Sequence, residues 1–183
     1  MAHPRTLVRE AVVAALTNAT AAGTRVTDTR VEAHKKHELP AISVYTLREP
    51  VRPDSDPTAP RELTRDVKVE IAGWVAHTAA LPAARALDNL ALEIETVMDA
   101  NRYLSGAAGE SILEDTEIQI VDDSGADPLI GIITLTYSVT YRTAPSESVL
   151  VDFLRAKATY QLTGGVPDTV PAIDGPFDVQ EAP

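Results

Sequence analysis

The chain has 183 residues, 44% of them hydrophobic, a formal net charge of −11 and no cysteine. Its length fits one globular domain with appendages, and the missing cysteines exclude a disulfide framework, thiol catalysis and any Cys-ligated metal. The acidity argues against free nucleic acid as a partner.

No apolar run approaches the length of a membrane span. Met1-Ala2-His3-Pro4 leads straight into an amphipathic helix, so no signal peptide is expected. The charge is uneven: residues 1–100 hold 12 Lys and Arg against 14 Asp and Glu, and residues 101–183 hold 4 against 13. The acidity belongs to the second half, either as a solvated surface that aids solubility or as a face for an electropositive partner. With aromatics at 4%, the core has to be built from Val, Ile, Leu and Ala.

Arg5 to Ala21 has helical spacing, with Leu7, Val8, Ala11, Val12, Ala15 and Leu16 along one stripe and Gly23 as a C-cap. Thr24 to Glu38 is polar. Val26 and Val31 suit a short strand, and His34 to Glu38, HKKHE, reads as an exposed loop. Residues 41–47, AISVYTL, are dense in β-branched and aromatic residues and read as a strand with a buried face. Residues 49–60 contain four prolines and almost no apolar residue, so the pattern predicts a long loop that cannot pair in a central sheet.

Arg65 to Val75 alternates cleanly. Val67, Val69, Ile71, Gly73 and Val75 share one face, and Asp66, Lys68, Glu70 and Trp74 share the other, as in a half-buried antiparallel strand. Pro82 to Asn101 is the longest run with unbroken helical period. Leu87, Leu90, Ala91, Ile94, Val97 and Met98 line one face of it, and Pro82 suits the first turn. A small-residue linker, 105–111, leads to a strand around Ile118 and Ile120. Asp122-Asp123-Ser124-Gly125 signals a turn, and Leu129 to Arg142 alternates as its partner strand, which makes a β-hairpin. Phe153 to Leu162 reads as one more strand, with Leu154, Ala156, Ala158, Tyr160 and Leu162 inward. Beyond Gly164 the chain is Pro-, Gly- and Asp-rich, an irregular arm.

A one-faced helix has to bury its stripe on another layer. The elements therefore assemble as an α+β fold: a mostly antiparallel β-sheet with two main helices on one face over residues 1–145, then a C-terminal extension over 146–183.

Motifs for chemistry are missing. There is no G-x-S-x-G, no P-loop and no G-x-G-x-x-G. His34, His37 and Glu38 have a spacing that a metal tolerates, but two histidines in a Lys-containing loop are more often solvated. Asp122, Asp123 and Asp127 lack the alternating acids of a calcium loop and fit a hairpin turn better. Glu114, Asp115 and Glu117 form a carboxylate cluster without a partnered acid or base. Trp74 and Tyr103 mark either a ligand cleft or core. No cofactor is expected and no enzyme emerges.

The order of segments carries more information than any residue. A helix, LPAISVYT, a proline-rich excursion, RDVKVEIAGWV, ALDNLALEIETVMDA, an acidic hairpin and TLTYSVTYR together resemble the tail terminator proteins of long-tailed bacteriophages, the gene-U type of minor tail protein. The resemblance covers residues 5–142. It implies a virion protein of the tail and neck, assembled in the host cytoplasm as a homo-oligomeric ring, a hexamer. Such a ring caps the tail tube, stops its growth and offers a surface for head joining. The implied partners are other copies of the chain, the major tail tube protein and a head-completion or connector protein, with no specific nucleic acid and no membrane. The alternatives are another phage neck, connector or tail-completion ring protein and, from a different class, a metal-dependent hydrolase using the acidic cluster. On the terminator reading, the proline-rich excursion and the hairpin offer the assembly contacts: Arg48, Glu49, Arg52, Asp54, Asp56, Arg61, Asp122, Asp123 and Asp127.

Overall fold

The computed structural model of the chain describes residues 2–32, 34–53, 62–121 and 129–144. Its elements in chain order are α1 (Pro4–Leu16), β1 (Val26–Asp28), β2 (Ala41–Thr46), β3 (Val51–Pro53), β4 (Leu63–His77), α2 (Ala80–Ala100), β5 (Glu110–Val121) and β6 (Leu129–Thr143). The chain divides between residues 145 and 146, and the fold described is that of the first part. The extension, with the strand expected at Phe153–Leu162, lies outside the described residues.

The fold is α+β, one six-stranded sheet in the order β1-β2-β4-β6-β5, with β3 also on β4. The sheet is mixed, because β1 runs parallel to β2 while every other pair is antiparallel. Its centre is β4 with β6. These strands stay in register over their whole length, from Leu63 opposite Thr143 to His77 opposite Leu129. The alternation that marks both in the sequence has a direct result: Val67, Val69, Ile71 and Val75 of β4 and Ile133, Leu135, Tyr137, Val139 and Tyr141 of β6 are buried on one face.

Both helices pack on that face and share one core with it. Helix α2 buries Ala83, Leu87, Leu90, Ala91, Ile94 and Met98, the residues that recur at three and four positions. Each large aliphatic side chain buried this way contributes roughly 1.5–3 kcal/mol. Two glycines let the helix sit close. A Cβ on Gly73 would lie 2.8 Å from Leu90 Cδ2, and one on Gly131 would lie 2.8 Å from Leu87 Cδ1. Leu87 and Leu90 thus rest on bare strand backbone.

Helix α1 is shorter than its sequence pattern. It stops at Leu16, where the Thr17 N–H and hydroxyl both bond the Val13 carbonyl, and Asn18 then takes a positive φ of 61°. Of its stripe, Val8, Val12 and Leu16 are buried, one row at four-residue spacing, while Leu7 is 47% exposed. The turn after α1 is tied to α2 where the Ala21 N–H donates to the Glu93 carboxylate at 2.7 Å. Val26 is in a strand as expected, but Val31 is not, and it is almost fully exposed.

The proline-rich excursion also differs from its prediction. After β2 the chain keeps running along β4: the Leu47 N–H donates to the Lys68 carbonyl, the Lys68 N–H to the Arg48 carbonyl, and the Asp66 N–H to the Pro50 carbonyl. Val51–Pro53 then pairs with Leu63–Arg65 as β3. Proline is tolerated there because β3 is an outer strand, where a missing donor breaks no second ladder. Residues 54–61 of the excursion lie outside the described residues.

Candidate assembly surfaces

Three of the nine residues expected to make assembly contacts fall within the described structure. Arg48 and Arg52 point outward. Arg48 is exposed, and Arg52 is 74% exposed with its guanidinium 3.4 Å from Asp66 Oδ2. Glu49 points inward instead, with a side chain only 8% exposed. Its carboxylate accepts from Arg5 Nη1 and Arg65 Nη1, each at 3.4 Å, and from the Tyr141 hydroxyl. Burial and the bond to this carboxylate push the Tyr141 phenol well above its ordinary range. Glu49 therefore joins the start of α1 to β4 and β6. Asp54, Asp56, Arg61, Asp122, Asp123 and Asp127 lie outside the described residues.

The opposite edge of the described sheet is β5. Among the described residues it pairs with β6 alone, and every residue from Ile112 to Ile120 is exposed. The acidic hairpin of the sequence joins two strands that do pair antiparallel, up to Val121 opposite Ile130. A bulge falls between Leu113 and Asp115. Beyond it Thr116, Ile118 and Ile120 stand opposite Leu135, Ile133 and Gly131, on the helix-bearing face, while Asp115, Glu117 and Gln119 stand on the other. Leu113, Ile118 and Ile120 are 36%, 47% and 40% exposed. Among the described residues, the apolar face of the sheet thus continues onto a strand whose apolar side chains stay exposed. Its other face is acidic. Glu114, at the bulge, reaches across to the Lys68 ammonium.

On the face away from the helices, the HKKHE segment is exposed at Lys35, Lys36 and His37, as its composition suggests. His34 differs, because it turns in over the sheet. The His34 side chain is 4% exposed, its ring centroid is 4.6 Å from that of Trp74, and its Nε2 lies 2.9 Å from Ser43 Oγ. The Tyr45 hydroxyl donates to the Arg30 carbonyl, and Arg30 pairs with Glu38 at 2.9 Å. His37 is exposed, so the two histidines do not converge on a metal. Ser43, fully buried in the middle of AISVYTL, was the signal available in the sequence: a small polar residue there needs a partner from elsewhere.

Burial, and then the Arg30 charge, hold the His34 imidazole below its ordinary pKa of 6.5, against a smaller opposing effect of Glu38. The unfolded chain then binds this proton more readily than the folded one. Stability is expected to be full above pH 6.5 and to fall as pH drops from 6.5 toward the lower folded value. Thermal melts at pH 7.5 and pH 5.5 check this. His34→Gln should flatten the difference, and an equal slope in both proteins would refute it.

Among the described residues, no group of three His, Asp or Glu side chains is placed to hold a metal ion, and no helix is long and apolar enough to cross a membrane. Tyr103 is 59% exposed at the end of α2, and Trp74 is half-buried under His34, so they do not frame a common cleft. Among the described residues β5 is an edge strand, a feature suited to binding another chain.

No protein-family model matches the chain, and no curated protein matches it. Among solved structures it is similar to a chain of "Virion of native gene transfer agent (GTA) particle", at 18% identity over 75% of this chain and 92% of that chain, with a TM-score of 0.29. A superposition that loose transfers no residue from one chain to the other.

Proposed function

We propose that this chain is a structural protein of a phage-like virion, a tail terminator that assembles as a hexameric ring on the finished end of the tail tube. The ring arrests the addition of tube subunits and leaves a surface to which a head-completion protein joins. The supporting observation is the architecture reached by the terminator-like order of segments. A two-helix layer closes one face of the sheet, and among the described residues the edge strand β5 has β6 as its one neighbour. A subunit with such an edge and a different opposite edge associates head to tail, and such contacts make rings when the rotation closes.

The role requires no turnover. It requires a lower face that matches the tube and an upper face that does not, so that growth cannot continue. The excursion around Arg48 and Arg52, with Asp54, Asp56 and Arg61, and the hairpin with Asp122, Asp123 and Asp127, supply those faces on this reading. Glu49 is left to hold its own subunit together. Deleting the gene is expected to give tails of uncontrolled length that do not join heads, while heads fill normally. Electron microscopy of the lysate decides it, and normal-length tails attached to heads would end the terminator reading.

A further inference from the structure

We infer that residues 34–38 form a latch on the face of the sheet away from the helices, held shut by neutral His34 and opened when His34 takes up a proton, while the sheet and its helices stay folded. The latch works within one subunit and needs no association of copies.

The hydrogen bonds around His34 run one way. The Thr27 hydroxyl donates to the Ile42 carbonyl at 3.3 Å, so toward Ser43 its oxygen can only accept. The Ser43 hydroxyl gives its one proton to Thr27, at 2.9 Å, and accepts from His34 Nε2, also at 2.9 Å. This chain sets neutral His34 as the Nε2–H tautomer. Its other nitrogen, Nδ1, is then bare. That atom is buried, and among the described residues it has no hydrogen-bond partner.

A proton added to the ring lands on Nδ1, where little is ready to receive it. The Glu38 Oε2 beside it is 4.0 Å away, beyond hydrogen-bonding reach. That oxygen already takes the Arg30 guanidinium at 2.9 Å and the Lys35 N–H at 3.1 Å. The strands beneath bring Thr27, Ser43 and Trp74 to the cluster, none of them charged, and the Tyr45 phenol is turned to the Arg30 carbonyl. The charges that act on the ring are those of Arg30 and Glu38, and burial together with Arg30 outweighs Glu38. An imidazolium whose side chain is 4% exposed thus lacks both water and an acceptor on Nδ1. Such a group is costly to keep inside. Turning His34 out to water removes the cost.

Opening is local because of how the stretch is attached. The hydrophobic core takes Val26 and then Ile42, and no described residue between them belongs to it. Residues 34–38 add no strand to the sheet. They make one short 3-10 turn, Lys36–Glu38, and the exposed residues Lys35, Lys36 and His37 hold nothing down. The attachments are His34, bonded to Ser43 with its ring 4.6 Å from that of Trp74, and Glu38, paired with Arg30. A unit with few apolar contacts and exposed polar bonds opens without the rest. With His34 out, Trp74 loses its cover.

The open form binds the proton as an ordinary imidazole does, near pH 6.5, and the closed form binds it more weakly. The latch is therefore shut above pH 6.5 and opens as pH falls below it. The ratio of open to closed grows roughly tenfold per pH unit until the closed form also takes the proton.

Trp74 is the only tryptophan of the chain and reports on its own cover. The test follows the full chain from pH 8 to pH 5 by acrylamide quenching of Trp74, amide exchange at Lys35 and Glu38 corrected for intrinsic rates, and far-ultraviolet circular dichroism. Quenching should rise below pH 6.5, and the two amides should exchange roughly tenfold faster per pH unit, with the circular dichroism unchanged. His34→Gln keeps a side-chain N–H for Ser43 but cannot take the proton, and should show no such rise. His37→Gln should behave as the wild type, since His37 is exposed. Ser43→Ala removes the acceptor of the Nε2–H and should move the opening to higher pH, which keeps the test decisive if His34→Gln does not fold. Trp74 as shielded at pH 5 as at pH 8 would mean that the ring takes its proton in place and closes on Glu38, and would overturn the inference. Loss of circular dichroism in step with the quenching would overturn it as well, because the change would then be global unfolding. So would a rise that persists in His34→Gln.

Discussion

Ile94→Asp is expected to unfold the subunit. Ile94 is fully buried in the middle of α2, in the same core as Leu87, Leu90, Ile133 and Leu135. Replacing it removes the burial of a large aliphatic group and leaves a carboxylate in an apolar layer. The two losses act together, since the charge can escape its desolvation only by taking up a proton or by opening the helix from the sheet. The combined cost is about 4 kcal/mol or more, comparable with the whole stability of many domains. Thermal melting should show no cooperative transition above room temperature. Leu92→Asp on the same helix is the control, because Leu92 is 64% exposed and should change stability little. If Ile94→Asp melts like the wild type, α2 does not pack on the sheet.

Glu49→Ala should have the next largest effect, and its character separates two roles. As a contact between subunits, Glu49 would affect association and leave the melting of the subunit unchanged. Its geometry points to the other result. Removing the carboxylate leaves Arg5, Arg65 and the Tyr141 hydroxyl without their shared acceptor, and Arg65 and Tyr141 are largely shielded from water. Arg65 keeps its bond to Thr143 Oγ1 at 3.0 Å, which limits the damage. A loss of about 2–3 kcal/mol is expected, read as a lower midpoint in urea at unchanged slope. Glu49→Gln should lose less, since its amide oxygen still accepts from Tyr141. Wild-type stability in Glu49→Ala, with association lost, would move Glu49 back to the assembly surface.

The fold was legible wherever one face of an element is buried and the other wet. Val67 to Val75 alternates at period two, and Leu87 to Met98 recurs at helical spacing, because each lies between core and solvent. These patterns located the strand and the helix and said which side of each turns inward. Legibility failed where polar atoms find partners far along the chain. His34 reads as a loop histidine until Trp74 and Ser43 are beside it, and Glu49 reads as a surface acid until Arg5, Arg65 and Tyr141 surround it. Neither arrangement has a period. The excursion at 49–60 misled for another reason: proline forbids a central strand but not an outer one, and composition alone does not say which position a segment takes. The edge strand was half legible. Ile118 and Ile120 announced a strand, but only the sheet order shows that it is the last one among the described residues.

The full-length register of β4 with β6 also governs how the subunit comes to be. Thr140 donates to Asp66 across 74 positions of sequence, with all of α2 and β5 in between. Closing so long a loop costs chain entropy before any of the central pairing is gained. The β5–β6 hairpin and α2 are local and can form early, whereas β4 has to find β6 afterwards. Chains dominated by such distant pairings fold over about milliseconds to seconds. During that interval β6 and β5 together expose apolar strand surface on both of their edges. A nascent subunit is therefore most open to pairing with the wrong neighbour just before its central strand arrives, and the acids of β5 oppose the encounter of two such hairpins through their like charge.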